Sequence, residues 1–305
     1  MSKNWICVND SQHVFDAQTA ASNGYFCPTC AYGEGILVEG GSVTSQATSD
    51  LGLCIMVLDC SGSMNDAAFQ NSPISKNELV ARSVTAGIYS LIGNSSKEFA
   101  YMLIIGFDHE IDILLPFTNL ETIFRDYPES KVFEQELLSK MKVKGGATDI
   151  NEALKIAFNF TQQFINSSIS SLGNYAPRVQ SVMDNNFELH NIPNVRVLLF
   201  TDGGQYTTSG ERILPSPFKD LSFDGKNFDL LMSAYYGEVG EKGYSQLLSL
   251  SSKCPSHFDT DQFFLFDDPK KVANLKGLFR MASGASGFCP KCLEEANTVT
   301  TDNRQ

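Results

Sequence analysis

The chain has 305 residues, 42% hydrophobic and 19% charged, which is the composition of a folded protein with a sizeable core and excludes global disorder. Thirty-five acidic against 23 basic side chains give a formal charge of −12, which argues against nucleic acid or an anionic membrane as the main partner. No apolar run approaches a bilayer span, and Met1–Cys7 has no signal-peptide apolar stretch, so the expected location is the cytoplasm.

Residues 1–40 are rich in Cys, Asn, Ser and Gly and carry no long periodic segment, and 41–50 read as a linker. From residue 51 onward strands and helices alternate. Leu51–Leu58 is a buried-strand run, followed by helical spacing over Asn77–Ile92. Phe99–Phe107 and Ile111–Leu115 are strands separated by so short a turn that they must pair antiparallel. Short helical pieces over 119–141 and a long helix over Asp149–Ser167 follow. The strands Val195–Phe200, Leu230–Tyr236 and Phe263–Phe266 are joined by helices over Glu241–Ser251 and Pro269–Met281. Residues 172–193 and 203–227 read as surface insertions. The alternation predicts an α/β fold, doubly wound around a mostly parallel sheet and covered by helices on both faces.

Eight cysteines punctuate this pattern, and three segments share one form: Cys27-Pro-Thr-Cys30, Cys254-Pro-Ser-His257 and Cys289-Pro-Lys-Cys292. Such knuckles suit structural zinc, which takes four sulfur or nitrogen ligands. Cys27 and Cys30 find a candidate pair upstream in Cys7 and His13. A second set follows from topology. Helix-to-strand loops of a parallel sheet gather at one end, where Cys254 and His257 precede the last strand and Cys289 and Cys292 follow the last helix. A rival arrangement joins Cys27 and Cys30 to Cys289 and Cys292. Cys54 and Cys60 read as small buried or loop residues, and His109 and His190 have no partners at ligand spacing. Domain bounds are therefore 1–40 for a zinc-ribbon-like unit, 51–283 for the α/β domain, and 284–305 for a terminal zinc knuckle with a disordered tail.

Three further motifs each stand where a strand gives way to a loop or helix: Asp59-Cys60-Ser61-Gly62-Ser63, Gly146-Ala147-Thr148 and Thr201-Asp202-Gly203. In an open α/β sheet such loops converge on the ligand crevice. Their carboxylates and hydroxyls are hard oxygen donors, which suit Mg²⁺ or Mn²⁺ rather than zinc. Gly145, Gly146, Gly203 and Gly204 are candidates for tight turns beside the ion.

These residues resemble the metal-ion-dependent adhesion site of the von Willebrand factor A domain family, with Asp59, Ser61, Ser63, Thr148 and Asp202 present in order. The resemblance covers about residues 51–283 and implies a six-stranded sheet with one antiparallel edge strand. It further implies that Ser61 and Ser63 touch the ion, that Thr148 does so in the ligand-ready state, and that Asp59 and Asp202 act mainly through waters. An acidic side chain of a partner protein would complete the coordination. Loops 64–75 and 203–227, with Phe69, Tyr206 and Phe218, are the expected rim. Within the family the chain resembles cytosolic bacterial tellurium-resistance-associated proteins. That implies a non-enzymatic scaffold or adaptor beside a kinase, phosphatase or ATPase in a stress or phage-defence system. The alternative is a Mg²⁺-dependent hydrolase or phosphatase with Ser61 or Ser63 as nucleophile, but no histidine follows the three loops to serve as base.

Overall fold

The computed structural model describes residues 4–7, 13–30, 37–40, 52–93, 100–142, 145–165, 194–220, 222–223, 226–227, 231–254, 257–268, 271, 275–282 and 289–295. The linker 41–50, the insertion 172–193, His190 and the tail beyond 295 lie outside them.

The frame is a six-stranded sheet. Its strands are β4 (Gly52–Asp59), β5 (Ala100–Phe107), β6 (Ile111–Asn119), β7 (Asn194–Thr201), β10 (Leu231–Tyr235) and β11 (Phe263–Leu265). The spatial order is β11-β10-β7-β4-β5-β6, with every neighbour parallel except the edge pair β5–β6. The expected α/β fold with a mostly parallel six-stranded sheet is thus the observed one.

Alternation of side chains across the pleat explains why the strands read as continuous apolar runs. On β4, Leu53, Ile55 and Val57 enter one core while Cys54, Met56 and Leu58 enter the other. The first core is closed by α5 (Ile150–Ile165) and α6 (Lys242–Leu250), through residues such as Leu154, Phe160 and Leu247. The second is closed by α2 (Lys76–Tyr89), α3 (Leu120–Asp126), α4 (Ser130–Lys140) and α7 (Leu275–Ala282). Helix α2 starts at a capping box: Glu78 N–H donates to Ser75 Oγ at 3.2 Å, and Ser75 N–H donates to Glu78 Oε2 at 2.9 Å.

Strand β6 runs four residues past the expected Leu115, through Pro116 to Asn119. Proline supplies no N–H, which an edge strand tolerates, and the pairing with β5 shifts register twice along this stretch.

The N-terminal residues are more ordered than their lack of periodicity suggested. The strands β1 (Asn4–Cys7), β2 (Val14–Asp16) and β3 (Leu37–Gly40) form a small antiparallel sheet in the order β2-β1-β3. Helix α1 (Ala17–Ser22) follows β2, capped by Asp16, whose Oδ1 accepts from Thr19 N–H at 2.7 Å. Trp5, Ala20 and Leu37 make a separate small core with Cys7 and Cys27. Tyr25 packs against both this core and the first large one, Phe26 is buried in the latter, and β3 runs beside β6. Between β7 and β10 lies a two-stranded ribbon, β8 (Ser222–Phe223) with β9 (Lys226–Asn227).

Candidate metal centres

The oxygen-rich centre is assembled at the carboxyl ends of β4 and β7. Asp59, the last residue of β4, is fully buried; its Oδ1 accepts from Ser61 N–H at 2.7 Å, and its Oδ2 accepts from the Thr201 hydroxyl. The Ser61 and Ser63 hydroxyls stand 3.3 Å apart, and Ser63 Oγ donates to Asp202 Oδ1 at 2.7 Å. One hydrogen-bonded chain thus joins Asp59, Ser61, Ser63, Asp202 and Thr201 across two strands.

Thr148 arrives from the loop before α5. A backbone bridge to Tyr206 fixes it, with N···O distances of 2.7 and 2.9 Å. The side chain of Gln205 links the same two loops, donating to Asp149 Oδ1 at 3.0 Å and accepting from Asn151 N–H at 3.1 Å. Asp108, buried at the end of β5, ties down the start of the Thr148 loop by accepting from Gly145 N–H at 2.9 Å.

Burial pushes the Asp59 carboxyl up to about 6; hydrogen bonds from Thr201 and Ser61 oppose the rise, and the neighbouring Asp202 adds to it. The donor set of two carboxylates and three hydroxyls fits a hard divalent cation and offers nothing to a soft one. Asp59, Ser61, Ser63, Thr148 and Asp202 are the residues that would hold it.

A cationic group missing from the sequence reading also reaches this centre. Lys76 Nζ lies 2.5 Å from Asp202 Oδ2. Its only local signal was its place directly after a helix cap, 13 residues beyond Ser63.

Among the proposed turn glycines, Gly145 and Gly204 are close approaches, because a Cβ there would meet His109 Nδ1 at 2.3 Å and Gln246 Oε1 at 2.4 Å. A Cβ on Gly146 would meet nothing within 4 Å. Of the expected rim aromatics, Phe69 and Tyr206 are exposed. Phe218 is not: it is fully buried, packed edge-on against Phe158 of α5, because the 217–220 turn folds back onto the first core. His109 Nδ1 lies 3.0 Å from Asp108 Oδ1.

The sulfur-rich centres are two separate groups. Cys7, His13, Cys27 and Cys30 bring their ligand atoms within 4.8 Å of one another, and so do Cys254, His257, Cys289 and Cys292. The rival pairing of Cys27 and Cys30 with Cys289 and Cys292 matches neither group; Cys7 of β1, His13 before β2 and the turn after α1 supply the first, while Cys254 and His257 between α6 and β11 join Cys289 and Cys292 beyond α7 in the second.

A tetrahedral zinc with Zn–S near 2.3 Å and Zn–N near 2.1 Å has S···S edges of about 3.8 Å and S···N edges of about 3.6 Å. In the first group Cys7···Cys30 is 3.7 Å, and His13 Nδ1 is 3.6 Å from Cys27 Sγ and 3.7 Å from Cys30 Sγ. In the second, Cys254···Cys292 is 3.8 Å and Cys289···Cys292 is 3.7 Å. His257 Nδ1 stands 3.8, 3.5 and 3.4 Å from Cys254, Cys289 and Cys292. Both groups therefore have the dimensions of a zinc tetrahedron and could hold a metal ion. His257 Nε2 meets Glu295 Oε1 at 3.1 Å, the carboxylate–imidazole arrangement that orients a ligating histidine.

Burial raises the Cys27 thiol, but N–H groups of Thr29 and Cys30 and the thiols of Cys7 and Cys30 outweigh it and hold its pKa below the ordinary value. Burial takes the Cys289 thiol up to about 12. None of the eight cysteines is in a disulfide, and Cys54 and Cys60 are buried outside both groups.

No family model and no curated protein matches the chain. Solved structures similar to it include proximal thread matrix protein 1 from the mussel byssus with a zinc-occupied MIDAS motif, at 13% identity and a TM-score of 0.42 over 77% of this chain and 48% of that one. Another is the vWF domain of the type V pili tip protein Mfa5 from Porphyromonas gingivalis, at 12% identity and a TM-score of 0.42 over 85% and 98%. A third is the ArnB paralog VWA2 from Sulfolobus acidocaldarius, at 15% identity and a TM-score of 0.37 over 79% and 48%. The chain spans about half the length of the byssus protein and of the archaeal paralog.

Proposed function

We propose that the chain is a metal-dependent protein-interaction module of the von Willebrand factor A type. In this reading the cation is held by Asp59, Ser61, Ser63, Thr148 and Asp202, and it binds an Asp or Glu side chain of a partner protein. The observation that carries it is the hydrogen-bonded chain from Asp59 through Ser61 and Ser63 to Asp202, which gathers residues from two strands into one oxygen-lined crevice. A bound Mg²⁺ or Mn²⁺ would supply an open coordination position for the incoming carboxylate. The protein's own part is to hold these oxygens in register and to frame the crevice with Phe69 and Tyr206, which are 40% and 62% exposed.

Binding rather than catalysis is favoured because the Ser61 and Ser63 hydroxyls bond to each other and to Asp202, while the nearby His109 is turned to Asp108. The two Cys/His groups are, in the same proposal, structural zinc sites that brace the N-terminal unit and the C-terminal segment. A cytoplasmic scaffold in a bacterial stress or phage-defence system, beside a kinase, phosphatase or ATPase, rests on the sequence resemblance alone. Among the described residues no helix is long and apolar enough to cross a membrane.

The test is an affinity pull-down with the full chain in Mg²⁺. Asp59→Ala is expected to lose the proteins captured by wild type while keeping the far-ultraviolet circular dichroism of the folded sheet. Equal capture by the folded variant would sink the reading.

A further inference from the structure

We propose that Lys76 sets the charge of the oxygen-rich centre so that the cation-loaded site favours an outside carboxylate at the expense of affinity for the cation alone. The inference rests on the cation-site reading above and adds a residue to it.

The Lys76 ammonium is held in place from several directions. Its residue opens α2, directly after the Ser75 cap, and its backbone N–H donates to Asp66 O at 3.0 Å. Nζ lies 2.5 Å from Asp202 Oδ2 and 5.7 Å from the centroid of the Tyr236 ring. The Tyr236 hydroxyl in turn donates to Ala68 O, closing the 64–75 loop over the crevice. The Asp202 side chain is 1% exposed and that of Lys76 18%, so this pair is not a solvated surface contact.

Charge arithmetic follows. Asp59 and Asp202 contribute −2 and Lys76 +1, so a divalent cation brings the sum over these three side chains to +1. Without Lys76 the same loaded site is neutral. In a partly desolvated crevice one unit of charge matters. Lys76 therefore weakens the cation on its own and strengthens the anion that completes the site. The cation itself raises the affinity of the carboxylate, and by linkage the carboxylate raises that of the cation; Lys76 adds to the anion's side of that pair. The partner is thereby specified as a carboxylate presented to a site of net positive charge, and the metal is retained chiefly when that partner is present.

The experiment uses the full chain, zinc-loaded, titrated with Mn²⁺ in sodium acetate or in sodium chloride of equal ionic strength. For wild type, Mn²⁺ binds more tightly in acetate than in chloride. Lys76→Met is expected to bind Mn²⁺ about tenfold more tightly in chloride and to show a smaller acetate enhancement than wild type. Lys76→Arg, which keeps the charge, is expected to retain the wild-type pattern. A misfolded variant loses affinity, the opposite sign. Unchanged affinity in Lys76→Met, or loss of affinity in both Lys76→Met and Lys76→Gln, overturns the role of Lys76. The cation-site reading is judged separately, by Asp59→Ala: it fails if that variant binds Mn²⁺ as wild type does.

Discussion

Thr201 shows how a buried carboxylate is kept at the end of a hydrophobic strand. Its side chain is fully buried, and its hydroxyl donates to Asp59 Oδ2, while Ser61 donates to the same carboxylate. Replacing Thr201 by Val preserves the shape and leaves one carboxylate oxygen without its donor. An unsatisfied buried acceptor costs about 1–3 kcal/mol. Thr201→Val is therefore expected to lower the metal-free stability by that amount in denaturant unfolding, and an unchanged midpoint would contradict the assigned bond. At this scale Asp59, Ser61, Ser63 and Asp202 stand in short motifs at strand ends, as the sequence pattern implies, whereas the Thr148 motif, expected to follow a strand, lies between α4 and α5. Lys76 was not legible, because its contact with Asp202 spans 126 positions and depends on how residues 64–75 fold back. Phe218 was misread for a related reason: an aromatic in a long insertion looks exposed until the turn that buries it is known.

Elements were legible in proportion to the apolar face they bury. The central strands β4, β5, β7 and β10 announce themselves because both faces are covered, whereas β1, β2 and β3 are three or four residues long and carry no usable period. Their order comes from the small Trp5–Leu37 core and the Cys/His group rather than from strand patterning. Packing between elements also positions the crevice. The first turn of α6 lies so close to the Thr201–Gly204 loop that a Cβ on Gly243 would stand 2.7 Å from Gly203 O and 2.5 Å from the Tyr235 ring. The backbone oxygen cannot swing aside as a side-chain tip could, so the loop itself must move. Gly243→Ala is accordingly expected to cost about 1–3 kcal/mol through overpacking and to weaken Mn²⁺ binding together with stability. Gly146→Ala, where a Cβ meets nothing within 4 Å, is the control expected to do neither.

At the scale of the whole molecule, the three centres occupy different places: two lie at opposite ends of the six-stranded sheet and one on the small sheet. The oxygen-rich crevice lies at the carboxyl ends of β4 and β7. The second Cys/His group lies at the other end, since Ser252 N–H bonds to Leu231 O at the start of β10 and Cys254 stands two residues on. The first group belongs to the small sheet whose β3 runs beside the β6 edge. The single tryptophan of the chain makes this separation measurable. Trp5 is buried in the small core, with its ring centroid 4.9 Å from that of Tyr25, two residues before Cys27. The small core of Trp5, Ala20 and Leu37 is slight, so if the first Cys/His group holds zinc as proposed, the metal supplies a large share of the local stability. Two zinc ions per chain are expected by elemental analysis, and one in either Cys27→Ser or Cys289→Ser. Chelation, like Cys27→Ser, is expected to shift Trp5 emission to longer wavelength while most of the helical circular dichroism remains, because none of the proposed zinc ligands belongs to either large core. Cys289→Ser is expected to lose its zinc with Trp5 emission unmoved. If Cys289→Ser shifted Trp5 as Cys27→Ser does, the two metal groups would be one cooperative unit, and the separation drawn from the geometry would be wrong.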